Sequence, residues 1–88
     1  MISIIIPTYN EDKSLVLLLN KLIKIFKKEK FEIIICDDNS KNKIFDKIKK
    51  LYQSNNKIKG IKLSSNIGPH NCVSQVINLC KYKFCSVI

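Results

Sequence analysis

The sequence predicts an α/β protein in which a parallel sheet carries helices on both faces. Residues 2–6 and 31–36 form short, mostly apolar and β-branched segments, which are typical of strands buried on both sides. Segments with helical spacing follow each of them, so that strands and helices alternate as β-α-β-α-β-α-β. The 88 residues suffice for one small domain.

The first helix is predicted from residue 12 to residue 28. Asn10 is a candidate cap for its first turn, and Glu11 and Asp12 lie where the helix dipole favours acidic side chains. Its predicted apolar face consists of Leu15, Leu18, Leu19, Leu22, Ile25 and Phe26. The second helix follows the sequence DDNS, and its predicted core face consists of Ile44, Phe45, Ile48, Leu51 and Tyr52. A polar run, Ser54, Asn55 and Asn56, interrupts it.

The third strand is predicted at residues 58–63, near an edge of the sheet because two lysines interrupt its apolar pattern. Residues 64–68 then form a loop, and Pro69 suits the first turn of a third helix. The predicted core face of that helix consists of Val73, Val76, Ile77 and Cys80. A fourth strand is predicted at residues 84–88, which completes the alternating order.

Composition argues against a specific nucleic-acid partner. The chain has a formal net charge of +9, and all 16 of its basic residues are lysines rather than arginines. Proteins that read nucleic acid favour arginine, because its planar side chain grips phosphate and guanine in a bidentate way. The charge would suit an anionic membrane surface, so membrane-surface association is kept as a second expectation.

The cysteines and the N-terminal segment both predict a cytoplasmic protein. No cysteine pair has C-x-x-C spacing, and His70 completes no metal-ligand pattern. Cys72 and Cys80 would lie about 12 Å apart along the third helix, too far for a disulfide, so small buried thiols in a reducing cytosol are expected. The chain shows no signal peptide and no apolar run of roughly 20 residues, which leaves the cytoplasm or the cytoplasmic face of a membrane.

Polar side chains follow the first two strands at the point where each strand ends. Asp37 and Asp38 come directly after the second strand, and Tyr9, Asn10 and Glu11 follow the first. In a parallel sheet these loops open on one edge, where α/β proteins bind their ligands. The chain has only two glycines and no glycine-rich phosphate loop, whereas carboxylates suit a base N–H, ribose hydroxyls or a metal. Because Tyr9 could also stack on a base, a nucleoside site is predicted.

The segments SIIIPTYNE, FEIIICDDNS and IKLSSNIGPHN come in the order and spacing of the family 2 glycosyltransferases, and the chain resembles that family over essentially its whole length. The resemblance implies the GT-A fold, whose Rossmann-like front half binds a nucleotide-sugar. The S-x-N-x-G element most resembles members with polyprenyl-phosphate acceptors, such as dolichol-phosphate mannose synthases. The resemblance therefore implies inverting transfer of a sugar from a UDP- or GDP-linked donor, with polyprenyl phosphate as the favoured acceptor.

The resemblance also implies roles for individual residues. Pro7, Tyr9 and Glu11 match the family residues that contact the nucleotide from the first loop. Asp38 matches the second Asp of the family's DD pair, which holds the base or the ribose. Cys36 stands two residues earlier and is expected beside the base.

Three further positions are expected to shape the loops. Asp37 is expected to brace its own turn, and Asn10 is expected to support the neighbouring loop. Asn39 stands where the family usually has glycine, and asparagine tolerates a left-handed backbone better than most residues, so the turn is expected to persist.

The family's metal-binding D-x-D motif follows the fourth strand, and this sequence ends at residue 88, within that predicted strand. Residues 1–88 are therefore interpreted as a single partial domain, the nucleotide-sugar-binding part of a transferase. The resemblance implies that the Mg or Mn ligands, the general base and the acceptor half are absent. The chain is expected to contain no catalytic residue and to be inactive by itself.

Two other functions stay open on the sequence alone. Receiver-type signalling domains also show an acidic pair after an apolar strand, but their pair follows the first strand and their acceptor Asp follows the third. The second alternative is a non-catalytic module that binds nucleotides or anionic surfaces through its lysines.

Overall fold

The computed structural model describes residues 1–11, 13–82 and 84–87 of the chain. Its elements are β1 (Ile2–Thr8), α1 (Lys13–Ile25), β2 (Phe31–Asp37), α2 (Ile44–Ser54), β3 (Ile58–Lys62), α3 (Pro69–Val76) and β4 (Phe84–Val87). A short 3₁₀ turn, Ile77–Leu79, follows α3. The predicted alternation of strands and helices is confirmed, while the predictions for Asp12 and Ile88 lie outside the described residues.

The strands form one parallel sheet in the order β3-β2-β1-β4. The chain runs outward from β1 through β2 to β3 and then crosses back to place β4 on the other side of β1. This reversal of direction beside β1 opens a crevice at the carboxyl ends of the strands, the usual ligand position in such sheets. The third strand lies at an edge, as its lysines predicted.

One face of the sheet is covered by α1 and α2. The core between this face of the sheet and the two helices is built mainly from buried isoleucine and leucine side chains of β1, β2 and both helices. The predicted core face of α2 is confirmed, but Ile25 of α1 is 70% exposed, and its assignment to the core was wrong. The helix ends at Ile25, and the next residue, Phe26, packs inward instead, with its ring 6.0 Å from that of Phe31.

The opposite face of the sheet is covered by α3. Ile5 and Ile34 of the sheet pack with Cys36, Cys72 and Val76, all of them fully or almost fully buried. Burial of these two thiols confirms their interpretation as core cysteines.

The predicted core face of the third helix was only partly right. Ile77 is 45% exposed, because the α-helix ends at Val76 and the 3₁₀ turn that follows rotates Ile77 away from the sheet. Val73 and Cys80 pack partly buried against the core beneath α3.

Candidate functional site at the carboxyl edge of the sheet

The loops after β1 and β2 meet the start of α3 around a small cleft of about 140 Å³. The cleft is lined by Pro7, Thr8, Tyr9, Glu11, Asp38, Pro69 and Cys72. A neighbouring recess of about 230 Å³ shares both prolines and adds His70 and Val73. The structure thus brings together four of the five residues predicted to contact the nucleotide, and the fifth, Cys36, lies behind the cleft.

Asp38 is held at the floor of the cleft by the loop that precedes α3. Its Oδ1 accepts the N–H of Ile67 at 2.8 Å, and its Oδ2 accepts the N–H of Gly68 at 2.8 Å. Its backbone N–H donates to the carbonyl oxygen of Thr8 at 2.8 Å, and its carbonyl oxygen accepts the side-chain amide of Asn66 at 3.2 Å. Asp38 therefore joins the loops that follow β1, β2 and β3.

The electrostatic environment keeps Asp38 ionised. Burial opposes the charged form, since the residue is only 3% exposed. The N–H groups of Ile67 and Gly68, together with the Cys72 thiol, outweigh this effect and lower the pKa of Asp38 below its ordinary value of 3.8. The cleft thus presents a fixed anionic group whose unused lone pairs can accept a hydrogen bond from a ligand.

Asp37 points away from the cleft into its own turn. Its Oδ2 accepts the N–H of Ser40 at 2.9 Å, and its Oδ1 accepts the Ser40 hydroxyl at 2.5 Å. Asn39 lies between Asp37 and Ser40 and has a φ of 59°, the left-handed conformation expected at this position. These contacts close the DDNS turn and aim Asp38 toward the loop before α3.

Asn10 links the first loop to the second. Its N–H donates to the Ser40 hydroxyl oxygen at 2.8 Å, and its side-chain oxygen accepts the N–H of Lys41 at 2.9 Å. Its prediction as the cap of the first helix was wrong, because α1 begins at Lys13 and the Asn10 amide is engaged with the other loop. A φ of 53° turns the chain at this residue.

The two buried thiols lie side by side behind the cleft. Cys72 lines the cleft and contacts both Asp38 and Cys36, whereas Cys36 is fully buried beneath it. Burial, followed by the neighbouring Cys36 and Asp38, raises the pKa of the Cys72 thiol to about 12, and burial likewise raises that of Cys36. Both groups are therefore neutral donors and acceptors rather than nucleophiles.

Thr8 and Tyr9 supply the other chemical features of the cleft. The Thr8 hydroxyl is buried and has no hydrogen-bond partner among the described residues, which is unusual for a buried polar atom. The Tyr9 side chain is 42% exposed at the mouth and offers an aromatic face. Glu11 lies beside it, and its carboxylate accepts the Ser14 hydroxyl at 3.2 Å.

Sequence reasoning missed three of the residues that line the cleft: Thr8, Pro69 and Cys72. Thr8 lies inside the quoted PTYNE motif, and its position on the last residue of β1 was the available signal. Pro69 and Cys72 belong to α3, whose packing against the carboxyl edge depends on the crossover to β4. No local sequence pattern predicts this long-range contact.

The parallel sheet, the reversal beside β1 and the cleft above it define a Rossmann-like domain of the GT-A glycosyltransferase type. The chain belongs to the glycosyl transferase family 2, whose family model matches residues 3–88. This membership rules out the receiver-domain alternative, which rested on the acidic pair alone.

Related sequences and solved structures agree with this family membership. An uncharacterized glycosyltransferase of Synechocystis sp. is 38% identical over 79 residues, covering 88% of this chain and 25% of the relative. The undecaprenyl-phosphate 4-deoxy-4-formamido-L-arabinose transferase of Photorhabdus laumondii is 35% identical over 80 residues, with the same coverage of 88% and 25%. The crystal structure of S. aureus TarS 1-349 in complex with UDP-GlcNAc is 30% identical, with a TM-score of 0.86, covering 99% of this chain and 25% of that one.

The chain thus spans about a quarter of the length of these relatives. Within the part of the chain that the structure describes, no helix is both long enough and apolar enough to cross a membrane.

The described residues do not fit a divalent metal, although GT-A glycosyltransferases commonly use one. None of their His, Cys, Asp and Glu side chains form a group of three or more that could hold a metal ion. The carboxylates of Asp37 and Asp38 are engaged with Ser40 and with loop amides. A mannosyltransferase from Pyrobaculum calidifontis, solved with GDP-Man and Mn2+, has a TM-score of 0.77 and covers 91% of this chain and 24% of that one. At 14% identity, this likeness shows the fold alone.

Proposed function

We propose that the protein containing this chain transfers a sugar from a nucleoside-diphosphate sugar to an acceptor with inversion, and that the carboxyl-edge cleft holds the nucleoside. The observation that carries this proposal is the combination of three groups in one cleft. These are the ionised Asp38, the unpartnered Thr8 hydroxyl and the exposed ring of Tyr9. Each complements a different part of a nucleoside.

Asp38 would accept a hydrogen bond from a base N–H or a ribose hydroxyl, since its carboxylate is fixed and anionic. The Thr8 hydroxyl would form a hydrogen bond with a second polar atom of that base or ribose. This bond would give the buried Thr8 oxygen a partner. Tyr9 would cover one face of the base, while Pro7 and Glu11 shape the mouth of the cleft. Asn10 and Asp37 would hold the two loops in register.

Cys36 would influence the nucleoside only through Cys72, because it is fully buried and does not line the cleft. Asp38 is fixed by backbone N–H groups, so its carboxylate is in place before the donor arrives, whereas contact with the buried Thr8 hydroxyl requires the side chains around it to move. The described residues bind and orient the donor, and none of them is assigned the general base. Residues 1–88 act as the donor-binding part of the domain.

The relatives support a proposal for the finer identities of the substrates. A uridine or guanosine diphosphate sugar is proposed as the donor, and a polyprenyl phosphate as the acceptor, because one relative is an undecaprenyl-phosphate transferase. A Mg or Mn ion in the whole enzyme would need ligands other than the described residues. We place this enzyme in the cytoplasm or at the cytoplasmic membrane face.

The test is a donor screen with the full-length protein, undecaprenyl phosphate and a divalent metal. Release of nucleoside diphosphate is measured for UDP- and GDP-linked sugars. The variant Thr8→Val keeps the shape of the side chain and removes its hydroxyl, so the KM for the donor should rise several-fold with little change in thermal stability. No turnover with any donor would contradict the proposed transfer reaction. An unchanged donor KM in Thr8→Val would contradict the proposed role of the cleft.

A further inference from the structure

Another cavity lies at the opposite end of the sheet, where the strands begin. Its volume is about 430 Å³, and it is lined by Met1, Lys30, Phe31, Glu32, Asn56, Lys57, Lys59, Lys81 and Tyr82. These residues come from the residue before β1, the start of β2, the turn before β3 with the first part of β3, and the connection between α3 and β4. None of them takes part in the donor cleft.

The lining is strongly basic. It contains four lysines and a single carboxylate, that of Glu32, and Lys59 pairs with this carboxylate at 2.9 Å. Lys30, Lys57 and Lys81 add three positive charges for which the lining offers no second acidic group. A cavity with this excess of cations concentrates anionic ligands.

Several of the lysines are held in place by their neighbours. The Lys57 ammonium lies 4.6 Å from the centre of the Phe31 ring, and the Lys81 ammonium lies 5.6 Å from that of Tyr82. Lys59 is fixed by its ion pair with Glu32. Cation–π contacts of this kind orient a charge without neutralising it.

The backbone beneath the cavity is fixed by a buried polar network around Glu32, which is only 4% exposed. Its carboxylate accepts the Ser3 hydroxyl at 2.6 Å and also the N–H of Lys81. The Ser3 oxygen accepts the N–H of Tyr82 at 3.1 Å, and the carbonyl oxygen of Lys57 accepts the N–H of Ile33 of β2 at 2.8 Å. The segments that carry Lys57 and Lys81 are therefore held against the sheet.

We propose that this amino-edge cavity binds a phosphate-bearing ligand through Lys30, Lys57 and Lys81. Lysine ammonium groups act as point charges for phosphate oxygens, and three of them surround a space larger than one phosphate requires. The phosphate belongs either to a soluble polyphosphate or to the headgroup of an anionic lipid. The site lies at the other end of the strands from the nucleoside cleft and does not depend on the proposed transferase activity.

The test uses the full-length protein and two probes. Tripolyphosphate binding is measured by calorimetry, and lipid binding by co-sedimentation with phosphatidylcholine vesicles with and without phosphatidylglycerol. The double variant Lys57→Gln, Lys81→Gln should weaken binding of the preferred probe by about tenfold or more. Preference for tripolyphosphate identifies a soluble ligand, and preference for the phosphatidylglycerol vesicles identifies a lipid headgroup.

A matched control is Lys21→Gln with Lys24→Gln, which removes the same charge from exposed positions on α1. The single variant Lys30→Gln leaves both cation–π contacts intact and provides a second cavity variant that does not disturb the fold. Binding should weaken in both cavity variants and stay near the native value in the control. Absence of binding to either probe, or equal weakening in the α1 control, would overturn the proposal in favour of diffuse charge attraction.

Discussion

Asp38 serves two purposes at once, because the same carboxylate that faces the cleft also fastens the loop before α3. The carboxylate accepts two backbone N–H groups through different oxygens, and each oxygen keeps a lone pair for a ligand. An alanine at this position would therefore disturb the loop as well as any nucleoside contact. Asparagine is the more informative replacement, since it removes the charge but preserves the shape of the side chain and one of its two backbone hydrogen bonds.

Cys72 is expected to support the charge and position of Asp38. The variant Cys72→Ala removes the thiol beside the carboxylate, whereas Cys72→Ser keeps a hydrogen-bond donor there. Affinity for the nucleoside diphosphate should fall a few-fold in the alanine variant and recover in the serine variant, as measured by calorimetric titration. Native affinity in Cys72→Ala would show that the thiol only fills space beneath α3.

Glu32 makes the stability of the protein sensitive to acid. Burial opposes its charge, but the Ser3 hydroxyl, the Lys59 ammonium and the Lys81 N–H lower its pKa below the ordinary value of 4.5. The ionised carboxylate therefore stabilises the folded state above pH 4.5, and this stabilisation is lost as the pH falls through the lower folded-state pKa.

The variant Glu32→Gln should lower the free energy of unfolding by about 1–3 kcal/mol at neutral pH. Its denaturation midpoint should also depend less on pH than that of the native protein below pH 4.5. Urea titrations across this pH range measure both effects. Identical acid profiles for the two proteins would show that folding does not lower the pKa of Glu32.

At the scale of elements, the two glycines support different contacts. A Cβ at Gly60 would lie 2.8 Å from atoms of Ile48 and of Tyr52, so this glycine lets α2 pack closely on β3. Gly68 has open space around it but adopts a φ of 87°, and its N–H holds Asp38. One glycine thus serves helix packing, and the other serves the loop beneath the cleft.

Both Gly60→Ala and Gly68→Ala should destabilise the fold by about 1–3 kcal/mol, the first through overpacking and the second through backbone strain. Only Gly68→Ala should also weaken nucleotide binding, because it moves an N–H that positions Asp38. Thermal melting and nucleotide titration of the two variants separate these effects. Equal losses of nucleotide affinity would mean that the cleft responds to overall stability rather than to the Gly68 loop.

At the scale of the whole molecule, charge is divided between the two ends of the sheet. The acids Glu11, Asp37 and Asp38 lie at the carboxyl edge, and the lysines of the large cavity lie at the amino edge. The proposed nucleoside site thus offers an anionic acceptor, whereas the proposed phosphate site offers cations.

Local patterns predicted most of this fold. β1 and β2 are almost continuous apolar segments, and the DD pair stands at the end of β2, at the edge where the predicted loops converge. The errors occurred where tertiary contacts override a local pattern. Ile25 is exposed rather than in the predicted core position because α1 ends there. Asn10 forms hydrogen bonds with Ser40 and Lys41 of the next loop instead of capping the first helix.

The polar network around Glu32 could not be predicted from the sequence, because it too depends on tertiary contacts. The residue lies in an apolar strand, and its partners Ser3 and Lys81 are 29 and 49 positions away. Cys72 and Thr8 likewise became recognisable as cleft residues only when α3 was placed above the end of β1. Contacts of this range depend on the strand order, which no single segment encodes.

The most direct test is a calorimetric titration of UDP and GDP into the full-length protein and its Asp38→Asn and Asp46→Asn variants. Asp46 is an exposed acid in the first turn of α2, so its replacement changes the charge equally without touching the cleft. At least one of the two nucleotides should bind the native protein and the Asp46→Asn variant with the same affinity. Its affinity for the Asp38→Asn variant should be lower by about tenfold or more. Equal affinity for the native protein and Asp38→Asn, with both folded, would contradict the assignment of the carboxyl-edge cleft as the nucleoside site.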